Sequence, residues 1–412
     1  MSDLECWIWF SGLQCLRFRT RTALLERYGS AKGIWFADPN EFEQAPGLLP
    51  EERRALTLRD DAQSARIVRR CAEEGVDILT YQDAAYPERL RNIPDPPYVL
   101  YVLGRLPAVD AEAVISVVGT RRSTPYGERI TRKIAGEIAG CGGIVCTGLA
   151  AGIDSAAATG ALDAGGTVIG VLGVAINRVY PSANAPLYAR VREHGALLSE
   201  YPPDAEGAKE WFPQRNRIMA GLSVGVVVAE APVRSGALIT AHRALDYGRD
   251  VFAVPGNADA PKSAGSNQLI REGAALIGCG WDVMQEYEAR FPERIRNAEV
   301  TLPEPKPTES SVEPEPGKKQ EKAFFRFRIP GLRKQAEPPP GDNRVLAEQL
   351  GTLTENQLKI VGIMDRASMH VDDIIDLTHL PASAVLSELT MLQIKGFVRQ
   401  EQGKRFTLNI TK

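Results

Sequence analysis

Histidine is scarce in this sequence. Four residues in 412 (His194, His242, His370 and His379) fall without metal-ligand spacing and without an HExxH, which excludes zincin chemistry. Cysteine is nearly as sparse: six residues scattered over the chain lack both the paired spacing of a zinc site and the density of a secreted disulfide scaffold. Cys141 and Cys146, the nearest pair, read as plain buried thiols in a reducing cytoplasm. No uninterrupted apolar run approaches the roughly 18 to 20 residues that cross a bilayer, so no membrane insertion is expected. The opening MSDLECWIWF has no basic stretch before its apolar part, so it does not read as a secretory signal. An excess of positive charge is also missing. A formal net charge of -3 excludes a histone-like coat or a polybasic membrane adherent, yet leaves room for a local basic pocket. Neither GxxxxGK[ST] nor the closely spaced glycines of a dinucleotide fingerprint occur, and no serine sits in a nucleophile elbow.

What the chain does contain changes along its length. Residues 1–100 read as a small helical, SAM-like domain with a connecting segment. LRFRTRTALLERYGS has helical spacing and stops at Gly29; EERRALTLRDDAQSARIVRRCAEEG is a longer amphipathic pattern ending at Gly75. VDILTY follows as a short strand, and PERLRNIPDPPYVLYVLG as a proline-punctuated crossing. Over 101–295 apolar strands alternate with helices: AVISVVG, GIVCTG, TVIGVLG, ALLSEYP, VGVVVAEAP and DVFAVPG. Continuous apolar runs, rather than alternating ones, imply a mostly parallel sheet covered on both faces. The fold class is therefore α/β, an extended Rossmann-like sheet whose ligands sit beyond the carboxyl ends of the strands. Residues 296–341, rich in Pro, Glu and Lys, read as a disordered linker in which only the FFRFR of 324–328 suggests a docking segment. Residues 342–412 give three helices and a terminal hairpin, a winged-helix-like domain. Its third helix, SAVLSELTMLQIKG, offers Lys395 alone as a cation, which argues against reading of duplex DNA.

Four strand-end turns carry anion-binding chemistry. VVGTRRSTPYG places Arg121 and Arg122 among hydroxyls ahead of a helix, where amides point outward and a guanidinium can fork onto a phosphate. TGLAAGID bends at Gly148, with Asp154 a cap or an acceptor for a neighbouring loop. APVRSGALITAH sets Ser235 and Gly236 at a helix start, and PGNADAPKSAGSNQLI adds Lys262. A doubly wound sheet brings such loops to one rim. The stretch KEWFPQRNRIMAGLS then supplies cations beside aromatics: Lys209, Trp211, Phe212, Arg215, Asn216 and Arg217. That combination suits single-stranded nucleic acid, with lysine or arginine on phosphates and Phe212 or Trp211 under a base. An arginine at a helix start opposes the helix dipole and calls for compensation. The alternative for Arg217 is therefore an internal pair with Glu230 or Asp154 that orders the pocket. Glu200 and Glu230, both at strand ends, are the one carboxylate pair conceivable as acid and base.

Taken in order, VVGTRRSTPYG, TGLAAGID, GALLSEYP, FPQRNRIMAGLS, VVVAEAPVRSGALITAHRALDYGRDVFAVPG and GSNQLIREGAALI closely resemble the DNA-processing protein A (DprA/Smf) family over nearly all of residues 80–290. The resemblance implies a cytoplasmic homodimer that binds single-stranded DNA during natural transformation. It further implies loading of the RecA recombinase onto that strand, past single-strand-binding protein, with no turnover and no cofactor. It carries DNA contacts onto Arg121, Lys209, Phe212 and the motif Arg215-Asn216-Arg217. Two departures stand out: Ala158 replaces a histidine after the GID turn, and Ala175-Ile176-Asn177 replaces Gly-Leu-Asp before YP. The chemical alternative is a nucleotide or nucleoside-phosphate hydrolase of the lysine-decarboxylase-like type. Its PGGxGTxxE is answered here by PVRSGALITA, without the glutamate. A protein-interaction scaffold is the third class.

Overall fold

The computed structural model describes residues 1–298, 353–364, 369–378, 380, 382–395, 397–401 and 405–408, and divides the chain into two compact units, Met1–Glu309 and Ser310–Lys412. The first unit is built on one sheet of nine strands: β1 (Asp77–Thr80), β2 (Val99–Gly104), β3 (Val114–Val118), β4 (Ile144–Thr147), β5 (Val168–Leu172), β6 (Gly195–Ser199), β7 (Gly225–Val228), β8 (Asp250–Ala253) and β9 (Ala275–Leu276). Their order is β1-β2-β6-β5-β4-β3-β7-β8-β9. From β6 to β9 all neighbours are parallel, whereas β1 and β2 join antiparallel at one edge.

The sheet is α/β as the strand pattern predicts, because β3, β4, β5 and β7 are buried along their whole length and must be covered on both sides. One face carries helices Pro125–Gly140, Ile153–Asp163 and Ala185–Glu193, which contribute Ile134, Ile138, Ala157 and Val191 to the core. The other carries helices Trp211–Leu222, Gly236–Asp246 and Ala264–Arg271, which contribute Ile218, Ala241 and Leu269. From β3 the chain steps outward through β4, β5 and β6, then returns to the other side of β3 for β7. The crevice between the carboxyl ends of β3 and β7 is thus the topological switch point, the place where such sheets bind ligands.

Six helices precede the sheet, from Asp3–Gly12 to Asp61–Glu74. They do not form a core of their own: Trp7 and Phe10 pack on Tyr98 at ring-centroid separations of 6.2 and 5.2 Å, continuous with one face of the sheet. Two sequence expectations change here. The crossing segment PERLRNIPDPPYVLYVLG contains a full strand, β2, and its prolines lie ahead of the ladder rather than in it. The single amphipathic pattern of 51–75 splits into helices Pro50–Thr57 and Asp61–Glu74, because Asp60 accepts a 3.0 Å bond from the Ala62 amide and starts a new helix. All six cysteines are free thiols; Cys141 and Cys146 are buried, and burial pushes the Cys146 thiol up to about 12.

The second unit contains helices Glu355–Ile363, Val371–Thr378 and Ala382–Ile394 with β10 (Met369–His370), β11 (Val398–Glu401) and β12 (Arg405–Leu408) in the order β10-β12-β11. Ile360, Ile374, Leu389 and Phe406 form its core, and the helices with the terminal hairpin make a winged-helix domain. The helix expected over NRVLAEQLG and the FFRFR segment lie outside the described residues, as does the expected linker beyond residue 298.

Candidate nucleic-acid interface

Three strand-end loops are stitched together at the switch point. The amide of Thr120, just after β3, donates to the carbonyl of Glu230, just after β7, at 2.7 Å. The Glu230 carboxylate is 2 % exposed and accepts from the Thr124 amide at 2.8 Å and the Thr124 hydroxyl at 2.7 Å. That hydroxyl in turn caps helix Pro125–Gly140 through the Gly127 amide. From the β4 side, Gly152 brings its loop in at φ 78°, so close that a β-carbon would stand 2.5 Å from the Thr120 carbonyl oxygen. Only glycine suits both the left-handed backbone and that approach. The result is a cavity of about 550 Å³ between the segments after β3, β4, β5 and β7 and the start of helix Trp211–Leu222, with Ala150 and Asp154 contributed from the β4 side.

The mouth of this cavity is cationic. Arg121, Lys209 and Arg234 line it and are exposed, and among the described residues none of them pairs with a carboxylate. The Arg121 guanidinium lies 4.9 Å from the centre of the Phe212 ring, a cation–π arrangement. Arg122 is exposed on the same loop, outside the lining. Ser235 caps helix Gly236–Asp246 through the Ala237 amide at 3.3 Å, and Gly236 is open to the cavity. Deeper in, Thr240 is 1 % exposed and its hydroxyl has no partner among the described residues. Lys262 does not line the cavity; its ammonium is 3.5 Å from the Ser123 carbonyl, where it steadies the Arg121 loop.

The motif Arg215-Asn216-Arg217 is divided by the structure: Arg215 and Asn216 line the cavity and Arg217 does not. Arg215 is 4 % exposed, lines the cavity wall, and donates to the Gly148 carbonyl at 2.9 Å and to the Val171 carbonyl, tying together the ends of β4 and β5. Burial lowers its pKa, against the attraction of Asp154; burial raises the pKa of Asp154, against the attraction of Arg215. Gly148 thus serves the site from behind, leaving room for the guanidinium. Asn216 bridges helices by donating to the Gly236 carbonyl at 3.2 Å. Arg217 points to the other side of its helix and pairs with Glu200 at 2.7 Å and Asp95 at 3.2 Å. It is paired internally, with Glu200 and Asp95 rather than with Glu230 or Asp154. Burial works against its charge, and the two carboxylates outweigh it, holding the pKa above the ordinary arginine value.

The two aromatics also separate. Trp211 is buried and stacked on Tyr201, centroids 3.6 Å apart and planes within 7°, so it is committed internally. Phe212 remains half-buried at the mouth, lying over Gly173, where a β-carbon would be 2.8 Å from the ring. Glu200 and Glu230 do not form an acid–base pair: the first is held by Arg217 and the second by Thr124. Of the two departures, Ala158 is fully buried in the core. At the other, the turn keeps its 2.9 Å bond from the Arg178 amide to the Ala175 carbonyl, and Asn177 reaches Glu74 and Asp204. Sequence reading missed Tyr180, exposed on the cavity wall in the loop after β5. Its position at a strand's carboxyl end in RVYPSAN was the available signal.

Fold and cavity together define a Rossmann-like module with a cation-lined cavity, followed in the chain by a winged-helix domain. The model of the DNA recombination-mediator protein A family matches residues 77–288, and that of the DprA winged helix domain matches residues 335–404. The chain belongs to this family. It is 36% identical to the DNA processing protein DprA of Bacillus subtilis (strain 168) over 65% of this chain and 91% of that protein. It is 32% identical to the protein Smf of Synechocystis sp. over 93% of each. The X-ray structure of DprA from Streptococcus pneumoniae superimposes with a TM-score of 0.61 at 33% identity, covering 69% of this chain and 98% of that one.

Proposed function

We propose that the switch-point cavity binds single-stranded DNA and that the chain loads RecA recombinase onto it during natural transformation. One observation carries the reading: Arg121, Lys209 and Phe212, from two segments far apart in sequence, line one open cavity, and among the described residues neither cation forms a salt bridge. Phosphates would lie against Arg121 and Lys209, and against the amides and hydroxyls at Ser235, Gly236 and Thr240, with a base on Phe212. Arg122 and Arg234 extend the same field. None of these contacts reads a base edge, so recognition is indifferent to sequence and weakens with salt. Hand-over to RecA past single-strand-binding protein, and the absence of a catalytic step, are carried by family membership.

Self-association as a homodimer is part of the proposal; Leu245, 56% exposed on helix Gly236–Asp246, is the kind of apolar side chain it would cover. Duplex DNA is not assigned to the winged-helix domain: Lys395, at the end of its third helix, bonds to the Gln357 side chain at 3.0 Å.

The test is a titration of labelled oligo-dT and its duplex at low and moderate salt, with wild type, Arg121→Ala and Lys209→Ala. Preference for the single strand, weakened in both variants, is expected. Unchanged binding in both defeats the assignment of the cavity.

A further inference from the structure

We infer that Tyr180 is a second base platform, so that two consecutive bases of a bound strand rest on Phe212 and Tyr180. This rests on the reading of the cavity as a single-strand site and adds a residue to it. Tyr180 is 48% exposed, and its hydroxyl has no partner among the described residues. An exposed aromatic is ordinary by itself. This one differs in how firmly it is mounted. The buried Tyr188 hydroxyl accepts from the Tyr180 amide at 3.4 Å and donates to the Tyr180 carbonyl at 3.0 Å. Four residues on, Asn184 donates to the Leu149 carbonyl at 2.8 Å and to the Ser155 hydroxyl at 2.9 Å, which fixes the loop against the turn after β4. The ring therefore projects from a backbone held at both ends, and little ordering remains to be done when a base arrives.

Its position decides how bases would sit. The Tyr180 and Phe212 ring centroids are 5.3 Å apart with planes inclined at 47°. A base sandwiched between two rings needs about 7 Å, two layers of the ~3.4 Å stacking rise, so neither intercalation nor a parallel stack fits this gap. What fits is one base on the outer face of each ring, splayed by the tilt. The Arg121 guanidinium now over Phe212 then gives way to a base and moves onto the adjoining phosphate.

The experiment uses the full chain, 5-iodouracil-substituted oligo-dT for photo-crosslinking, and fluorescence anisotropy with oligo-dT for Tyr180→Ala and Tyr180→Phe. Crosslinks at both Tyr180 and Phe212 are expected. Tyr180→Ala should bind about 5- to 150-fold more weakly, the range for stacking of one base on an aromatic. Tyr180→Phe should bind like wild type, because the ring and not the hydroxyl makes the contact. The salt dependence of Tyr180→Ala should match wild type, since no charge is removed, whereas Arg121→Ala should flatten it. Wild-type affinity in Tyr180→Ala with weakened binding in Arg121→Ala, or crosslinks at Phe212 alone, overturns the second platform and leaves the strand-binding reading intact. Wild-type affinity in both Arg121→Ala and Lys209→Ala removes that reading and the platform with it.

Discussion

Replacing Arg217 with alanine separates the two roles open to an arginine in this motif. In the structure its guanidinium binds Glu200 at 2.7 Å and Asp95 at 3.2 Å, with side-chain exposures of 9% for Arg217, 16% for Glu200 and 48% for Asp95. Removing it leaves the largely buried Glu200 side chain without its partner. Breaking a buried pair from one side costs about 3–5 kcal/mol, and the half-solvated Asp95 places this case near the lower end. For a unit of this size each kcal/mol moves the melting temperature by about 1.5–2 °C, so a fall of roughly 5–7 °C is expected. The assay is thermal unfolding of the full chain, followed by oligo-dT binding at several salt concentrations below the melting range. Arg217→Met combined with Glu200→Gln should recover part of the loss, because no buried charge is then stranded. The slope of log affinity against log salt should stay at the wild-type value. An unchanged melting temperature with a slope lower by about 0.7, the signature of one lost single-strand phosphate contact, refutes the structural role and returns Arg217 to the DNA surface.

Three further outcomes are expected. Glu52 is fully buried, and Arg17, helped by the Leu49 and Arg17 amides and the Thr20 hydroxyl and opposed by burial, holds its carboxyl down to about 2. A depressed folded-state pKa contributes stability above the ordinary pKa near 4.5 that is lost as pH falls toward 2. With Arg17 half-exposed the contribution is about 2 kcal/mol. Glu52→Gln should therefore melt lower at pH 7 and show a shallower decline between pH 5 and 3; parallel curves would rule this out. Gly148→Ala should destabilise by about 1–3 kcal/mol through overpacking against the buried Arg215, measured by urea unfolding. Phe212→Ala should weaken oligo-dT binding about 5- to 150-fold with little change in stability, whereas Trp211→Ala should lose stability first, since its ring is stacked on Tyr201.

The sheet was legible because its strands are unbroken apolar runs, and that pattern has few other solutions. The order of strands was not, since β2 is announced only by YVLYVLG after three prolines and pairs with a strand some ninety residues later. At the site, glycines, hydroxyls and cations after successive strands were enough to gather Arg121, Lys209, Phe212 and Ser235 at one rim. Direction was the hidden variable. Residues 215 and 217 lie on opposite sides of one helix, and which cations meet carbonyls or carboxylates depends on Val171, Glu200 and Asp95, none of them adjacent in sequence. Likewise, nothing in KEWFPQ tells that Trp211 stacks inward on Tyr201 while Phe212 stays at the mouth.

Hydrogen–deuterium exchange of the full chain, with and without a saturating single-stranded oligonucleotide, tests the cavity most directly. The expected result is slowed exchange in 119–124, 209–217 and 234–240, the segments that build the cavity from separate loops. Slowed exchange confined to 353–408, with those three segments unchanged, would contradict a strand-binding site at the switch point of the sheet.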